Sequence, residues 1–188
     1  MSLQNIFSVP ISTSYIPEEI ANILESNITP RLNRLERKGP QFTDFFSTNK
    51  IVSLEEIKPF IELIKQKVHE FSIESSITYF HKFEYWIQDY ISNDYHGTHA
   101  HPHSSISGTY YIRANEHAGK LRFSNPNPFY TMTLCNGDSI GEKLYHNITP
   151  QKGLLVLFPS WLSHEVLPSS NPKDCIRTSF SFNLSIDN

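Results

Sequence analysis

Residues 153–184 read GLLVLFPSWLSHEVLPSSNPKDCIRTSFSFNL: short apolar runs cut by clusters of Pro, Ser and Asn. Leu154–Phe158 and Ile176–Leu184 are rich in aliphatic, β-branched and aromatic residues, which predicts strands, with a shorter one at Glu165–Leu167 between them. The same texture reaches back to Thr78, where Tyr79–Ile91, Ser105–Ile112 and Lys120–Phe123 are further strand candidates. Pro126, Pro128 and the stretch Gly137–Gly141 read as a long loop. Before Thr78 the periodicity is helical instead. One helix begins at Pro17, with Glu18 and Glu19 in its first turn, where acids favour the positive end of the helix dipole. Another opens at Ser53, whose hydroxyl can cap it while Glu56 closes a capping box. Its Leu54, Ile57, Phe60, Ile61, Ile64, Val68 and Phe71 recur at helical spacing, so one face should pack on something. Pro59, past the first turn, is expected to bend it. Helices first and antiparallel strands after predict a mainly β architecture: a double-stranded β-helix, or jelly-roll, cupin-like, with N-terminal helices packed outside. The expected division is a helical support region at 1–77 and a jelly-roll core at 78–188, within a single domain.

The bulk properties agree with a folded globule. The chain has 188 residues, enough for one domain with a real core, and its 38% hydrophobic share argues against disorder. A formal charge of −3 offers no basic footprint, so a nucleic-acid partner is not expected. No stretch reads as a signal peptide or a membrane span, and two cysteines, Cys135 and Cys175, are too few for a disulfide framework. A reducing, cytoplasmic setting is the expectation.

Chemistry concentrates in the histidines. In Thr98-His99-Ala100-His101-Pro102-His103 an extended backbone would send His99 and His101 to one face, where they can share a metal ion. Alone, a His-x-His pair is also what a polar loop contains. Downstream, the strand at 154–158 runs into a turn and delivers His164 at the start of the next strand. Arg177 and Ser179 then share one face of the last strand, opposite Thr178, Phe180 and Phe182. An arginine aimed into a barrel of apolar strands is costly unless an anion meets it, and its fork matches a carboxylate. A structural salt bridge or an exposed edge arginine is the plainer alternative for Arg177.

Together, Trp86-Ile-Gln-Asp-Tyr90, His99-Ala-His-Pro102, Ser107-Gly-Thr-Tyr-Tyr-Ile112, Gly119-Lys-Leu-Arg-Phe123, Gly153 to His164 and Arg177 to Asn183 resemble a family of small 2-oxoglutarate/Fe(II)-dependent oxygenases. That family lies in the prolyl-hydroxylase-like superfamily and has bacterial and marine-phage members. The resemblance covers Trp86 to Asn183. It implies that His99 and His164 bind iron, and that Arg177 and Ser179 hold the distal carboxylate of 2-oxoglutarate. It also implies that the Tyr111 phenol reaches that carboxylate, although a core tyrosine is an equal alternative. Gly119 falls at a turn between strands, where a glycine can serve a positive φ.

One position departs from the superfamily. A carboxylate usually stands two residues after the first histidine, completing a 2-His-1-carboxylate set. Here it is His101. Either His99, His101 and His164 form a three-histidine site, or a remote carboxylate completes it, Asp94 and Glu165 being nearest in sequence. Glu165 should point away from the face that His164 uses. His103 is expected at the pocket rim and His96 in a loop, while Trp86, Phe158 and Trp161 are candidates for the pocket wall. The implied activity is dioxygenase chemistry: iron(II), 2-oxoglutarate and O2 hydroxylating an unidentified substrate, with succinate and CO2 as co-products. Two rivals fit the same residues. One is a three-histidine cupin-like metalloenzyme that does not use 2-oxoglutarate; the other is a non-catalytic jelly-roll binding module. A homodimer contact is one use for the N-terminal third.

Overall fold

A computed structural model of the protein describes residues 8–35, 41–91, 94–127, 144–170 and 175–185. The long-loop reading of Pro128 and Gly137–Gly141 falls outside the described residues, as does Cys135. Ten strands and two helices follow in the order β1 (Ser12–Tyr15), α1 (Glu18–Leu32), β2 (Gln41–Thr43), α2 (Lys58–Ser75), β3 (Lys82–Ile91), β4 (His96–His99), β5 (Ser104–Ala114), β6 (Leu121–Ser124), β7 (Tyr145–Ile148), β8 (Leu154–Pro159), β9 (His164–Val166) and β10 (Ile176–Ser185). Every pairing is antiparallel. A six-stranded sheet runs β1-β8-β5-β10-β3-β2 and a four-stranded sheet runs β4-β9-β6-β7. This is the double-stranded β-helix that the strand pattern predicts. The first 77 residues supply more than helices, however, because β1 and β2 form both edges of the large sheet.

Two apolar layers hold the fold. One lies between the helices and the large sheet: Leu24, Ile28 and Ile64 meet Ile87, Tyr110, Leu155, Phe180 and Phe182, all buried. The other lies between the sheets and contains Tyr111, Leu121, Phe123, Val156 and Phe158. Strand alternation explains the division, since successive side chains point to opposite faces. Phe180, Phe182 and Leu184 of β10 turn to the helices, which leaves Arg177, Ser179 and Ser181 for the space between the sheets.

α2 differs from expectation at its start. The Ser53–Glu56 capping contacts form, with the Ser53 N–H donating to Glu56 at 2.8 Å. They close a turn ahead of the helix, whose first residue is Lys58, so Pro59 sits in the first turn rather than past it. Proline lacks the N–H that this turn does not need, and no bend is called for. Among the described residues no helix is long and apolar enough to cross a membrane.

Candidate active site

The side chains that could hold a metal ion arrive from three places. In the small sheet β4 and β9 pair so that His99 stands directly opposite His164. β4 ends at His99, so His101 does not reach the site by simple alternation; a turn carries it there, anchored by its N–H to the Ser160 carbonyl at 2.9 Å. One ligand atom from each of His99, His101 and His164 lies within 4.8 Å of the others. No carboxylate joins this group among the described residues. Glu165 turns away to accept from Arg122 Nε at 2.8 Å, and Asp94 lines an outer pocket.

Burial sets the protonation state. It lowers the pKa of His164 to about 3 and that of His101 to about 4, with the neighbouring imidazoles adding to the effect. Neutral rings offer lone pairs, as a metal site requires. His99 and His164 each place Nδ1 at 2.8 Å from a backbone carbonyl, Gly97 and Leu162, which fixes the proton there and leaves Nε2 for an ion.

Beside the histidines lies Arg177, 2% exposed and lining the same inner cavity of about 40 Å³. Register puts Tyr90 of β3 opposite Arg177. A bulge after Thr178 brings Tyr111, not Ile112, opposite Ser179. The Arg177 guanidinium therefore sits 4.8 Å from the Tyr90 ring and 5.2 Å from the Tyr111 ring. The bulge also turns Arg113 to the helix side, where it donates to Thr178 Oγ1 at 2.9 Å and pairs with Asp89. Among the described residues Arg177 forms no such ion pair. Its Nε and Nη1, Tyr90 Oη, Tyr111 Oη and Ser179 Oγ are all buried with no hydrogen-bond partner among the described residues. Five donors orphaned in one place define a cradle for an anion, because each is expensive to bury unmet. Burial raises the pKa of Tyr90 and Tyr111 against the pull of Arg177, so both phenols stay O–H donors.

Several residues fall elsewhere than expected. His96 belongs to β4, stacks on His99 with ring centroids 4.0 Å apart, and lines the cavity. Trp86 and Phe158 line the cavity as expected, but Trp161 is 56% exposed and does not. His103 lies in the turn after the site at φ 64° and lines neither pocket. Gly119 has no positive φ; a Cβ there would strike the Leu167 carbonyl oxygen, so close approach explains it. Tyr90 and Gln88 share the strand face of Trp86, which marks them as inward-facing but does not place Tyr90 beside Arg177. Past His96, His99 and His101 lies an outer pocket of about 700 Å³, walled in part by Phe45, Phe46 and Tyr95.

A family model described as "Putative 2OG-Fe(II) oxygenase" matches residues 84–183, more than half of the chain and all of its site strands from β3 to β10. The chain belongs to this 2OG-Fe(II) oxygenase family. It is thus an oxidoreductase whose cofactors are iron(II) and 2-oxoglutarate. Solved structures show the same fold at low identity. A Pseudomonas putida prolyl-4-hydroxylase is 16% identical, with a TM-score of 0.66 over 96% of this chain and 95% of that one. A Trichoplax adhaerens prolyl hydroxylase, solved with a hypoxia-inducible-factor oxygen-degradation-domain peptide, is 11% identical, with a TM-score of 0.62 over 93% and 83%. A 2OG-Fe(II) oxygenase from Burkholderia pseudomallei is 14% identical, with a TM-score of 0.59 over 92% and 84%. No curated protein matches the chain.

Proposed function

We propose that His99, His101 and His164 hold iron(II), and that Arg177, Ser179, Tyr111 and Tyr90 hold the distal carboxylate of 2-oxoglutarate. The observation that carries this reading is the cluster of orphaned buried donors around Arg177, which itself lines the cavity that the three histidines line. A carboxylate, with about four acceptor sites, meets a guanidinium fork and neighbouring hydroxyls together. Three neutral imidazoles leave the charge of the ion uncompensated, and a dianionic co-substrate supplies the balance. Bound together, iron(II), 2-oxoglutarate and O2 supply the oxidation that turns a substrate C–H into C–OH, releasing succinate and CO2. The residues of the chain orient and enclose these reactants. Arg177 fixes one end of the co-substrate, the histidines fix the ion, and Phe158 packs against His164 at 4.7 Å between ring centroids to keep water from the buried side.

The substrate enters through the outer pocket. Aromatic side chains wall it, and no lysine or arginine lines it among the described residues, so it suits an uncharged group better than a phosphate. The test is anaerobic: 2-oxoglutarate is titrated calorimetrically into iron(II)-loaded protein, and succinate is measured once O2 is admitted. Saturable binding and slow succinate release are expected. Protein that binds iron through the three histidines yet ignores 2-oxoglutarate would overturn the carboxylate assignment.

A further inference from the structure

The three histidines are not supported alike. Nδ1 of His99 and of His164 each faces the carbonyl oxygen of the residue two positions earlier, at 2.8 Å. A carbonyl only accepts, so both rings carry their proton on Nδ1 and keep Nε2 open. His101 faces a side-chain amide instead: Asn183 Nδ2 lies 3.4 Å from His101 Nδ1. An amide NH2 only donates, so in this arrangement the His101 proton sits on Nε2, the nitrogen an ion would need. Behind the amide, Asn183 Oδ1 accepts from the Ser107 hydroxyl at 2.7 Å, and Ser107 Oγ is 2.8 Å from Ser160 Oγ. All three residues are buried.

We infer that Asn183 is a positioning residue that switches His101 between a resting and a ligand tautomer by turning its amide over. This rests on the three-histidine site proposed above. When an ion takes His101 Nε2, the ring must carry its proton on Nδ1, and Asn183 must offer Oδ1 to receive it. The amide NH2 then points at Ser107, whose hydroxyl rotates from donating to accepting and donates in turn to Ser160. Hydroxyls are suited to this reversal because each can donate or accept. No net proton is gained: one leaves Nε2 and one is taken up at Nδ1. Outer partners of metal-bound histidines set ring orientation and tautomer, and their loss typically weakens metal binding about 10- to 100-fold.

Two variants separate this role from simple packing. Asn183→Asp can only accept, so it should hold His101 permanently in the ligand tautomer and tighten metal binding. Asn183→Leu fills the space but neither donates nor accepts, and should weaken binding. The measurements are zinc affinity by chelator competition, with zinc as a diamagnetic stand-in for iron(II), and 15N NMR of the imidazole tautomers. Metal-free wild type should show His101 protonated at Nε2 and His99 and His164 at Nδ1, with His101 moving to Nδ1 as zinc is added. Should Asn183→Leu not fold, the Asp variant and the wild-type spectra still decide. An Nδ1 proton on His101 before metal is added, or wild-type zinc affinity in Asn183→Asp, overturns the switch. Failure of the three-histidine site itself looks different, because His101→Ala would then bind zinc as tightly as wild type.

Discussion

Arg177 shows how much a single side chain can decide. It is 2% exposed, it lies over two tyrosine rings, and Nε and Nη1 have no partner among the described residues. Removing one member of a buried charged pair costs about 2–5 kcal/mol. Arg177→Ala should therefore all but abolish 2-oxoglutarate binding. Arg177→Lys, which keeps the charge and loses the planar fork, should bind weakly. Tyr111→Phe removes one hydrogen bond to a charged group, about 1.5–3 kcal/mol, and should weaken binding roughly 10- to 100-fold with iron retained. Calorimetric titration of each variant checks the order; a Tyr111→Phe protein binding like wild type would make that residue plain core. Arg177 stands out in the sequence because it shares an inward face of the last strand with Ser179, whereas Tyr111 is singled out only by the family resemblance. Tyr90 stands out less. Its place beside Arg177 depends on the register between β3 and β10, neighbours in the sheet but far apart in sequence, and nothing local encodes that pairing.

At the scale of elements, the long strands were readable and the short ones were not. β10 alternates polar with apolar residues from Ser179 to Ser185, as a strand buried between two different layers does when one face packs on helices and the other faces the site. β1, β2, β4 and β7 are three or four residues each and mostly polar. They are strands because a neighbouring strand offers them hydrogen bonds, not because their residues prefer it. His96 reads as loop for that reason, although β4 makes it the stacking neighbour of His99. The close approach of Gly119 to Leu167 is another contact of this kind. The Leu167 N–H donates to the Lys120 carbonyl at 2.9 Å, and a methyl group on Gly119 would collide with the Leu167 carbonyl. Backbone cannot step aside as a side-chain rotamer does. Gly119→Ala should cost about 1–3 kcal/mol or more and loosen the β6–β9 pairing that seats His164. Gly97→Ala, with nothing near the added carbon, is the control. Equal urea midpoints for the two variants would remove the steric account of Gly119.

For the whole molecule, gathering imidazoles between two sheets makes stability depend on pH. Burial holds His96 and His101 at about 4 and His164 at about 3, all below the ordinary 6.5. Above pH 6.5 these rings are neutral both folded and unfolded, and contribute no pH dependence. Below it the unfolded chain takes up protons that the folded one refuses, so stability falls as pH drops from 6.5 through the folded values. Paired carboxylates lose stability in the same direction, and Glu56, which Arg31 and Ser53 hold at about 2, is one of them. A variant comparison separates the two sources. The thermal midpoint of metal-free protein should fall between about pH 7.5 and about pH 5, a range in which histidines titrate more than carboxylates. His164→Phe puts a ring of similar size where the most depressed imidazole stood and removes its proton from the balance. It should shrink that fall without altering the behaviour below about pH 3, where this ring is protonated both folded and unfolded. An unchanged slope in His164→Phe would mean that His164 does not stay neutral in the fold at these pH values, and that its surroundings are wetter than 4% exposure implies.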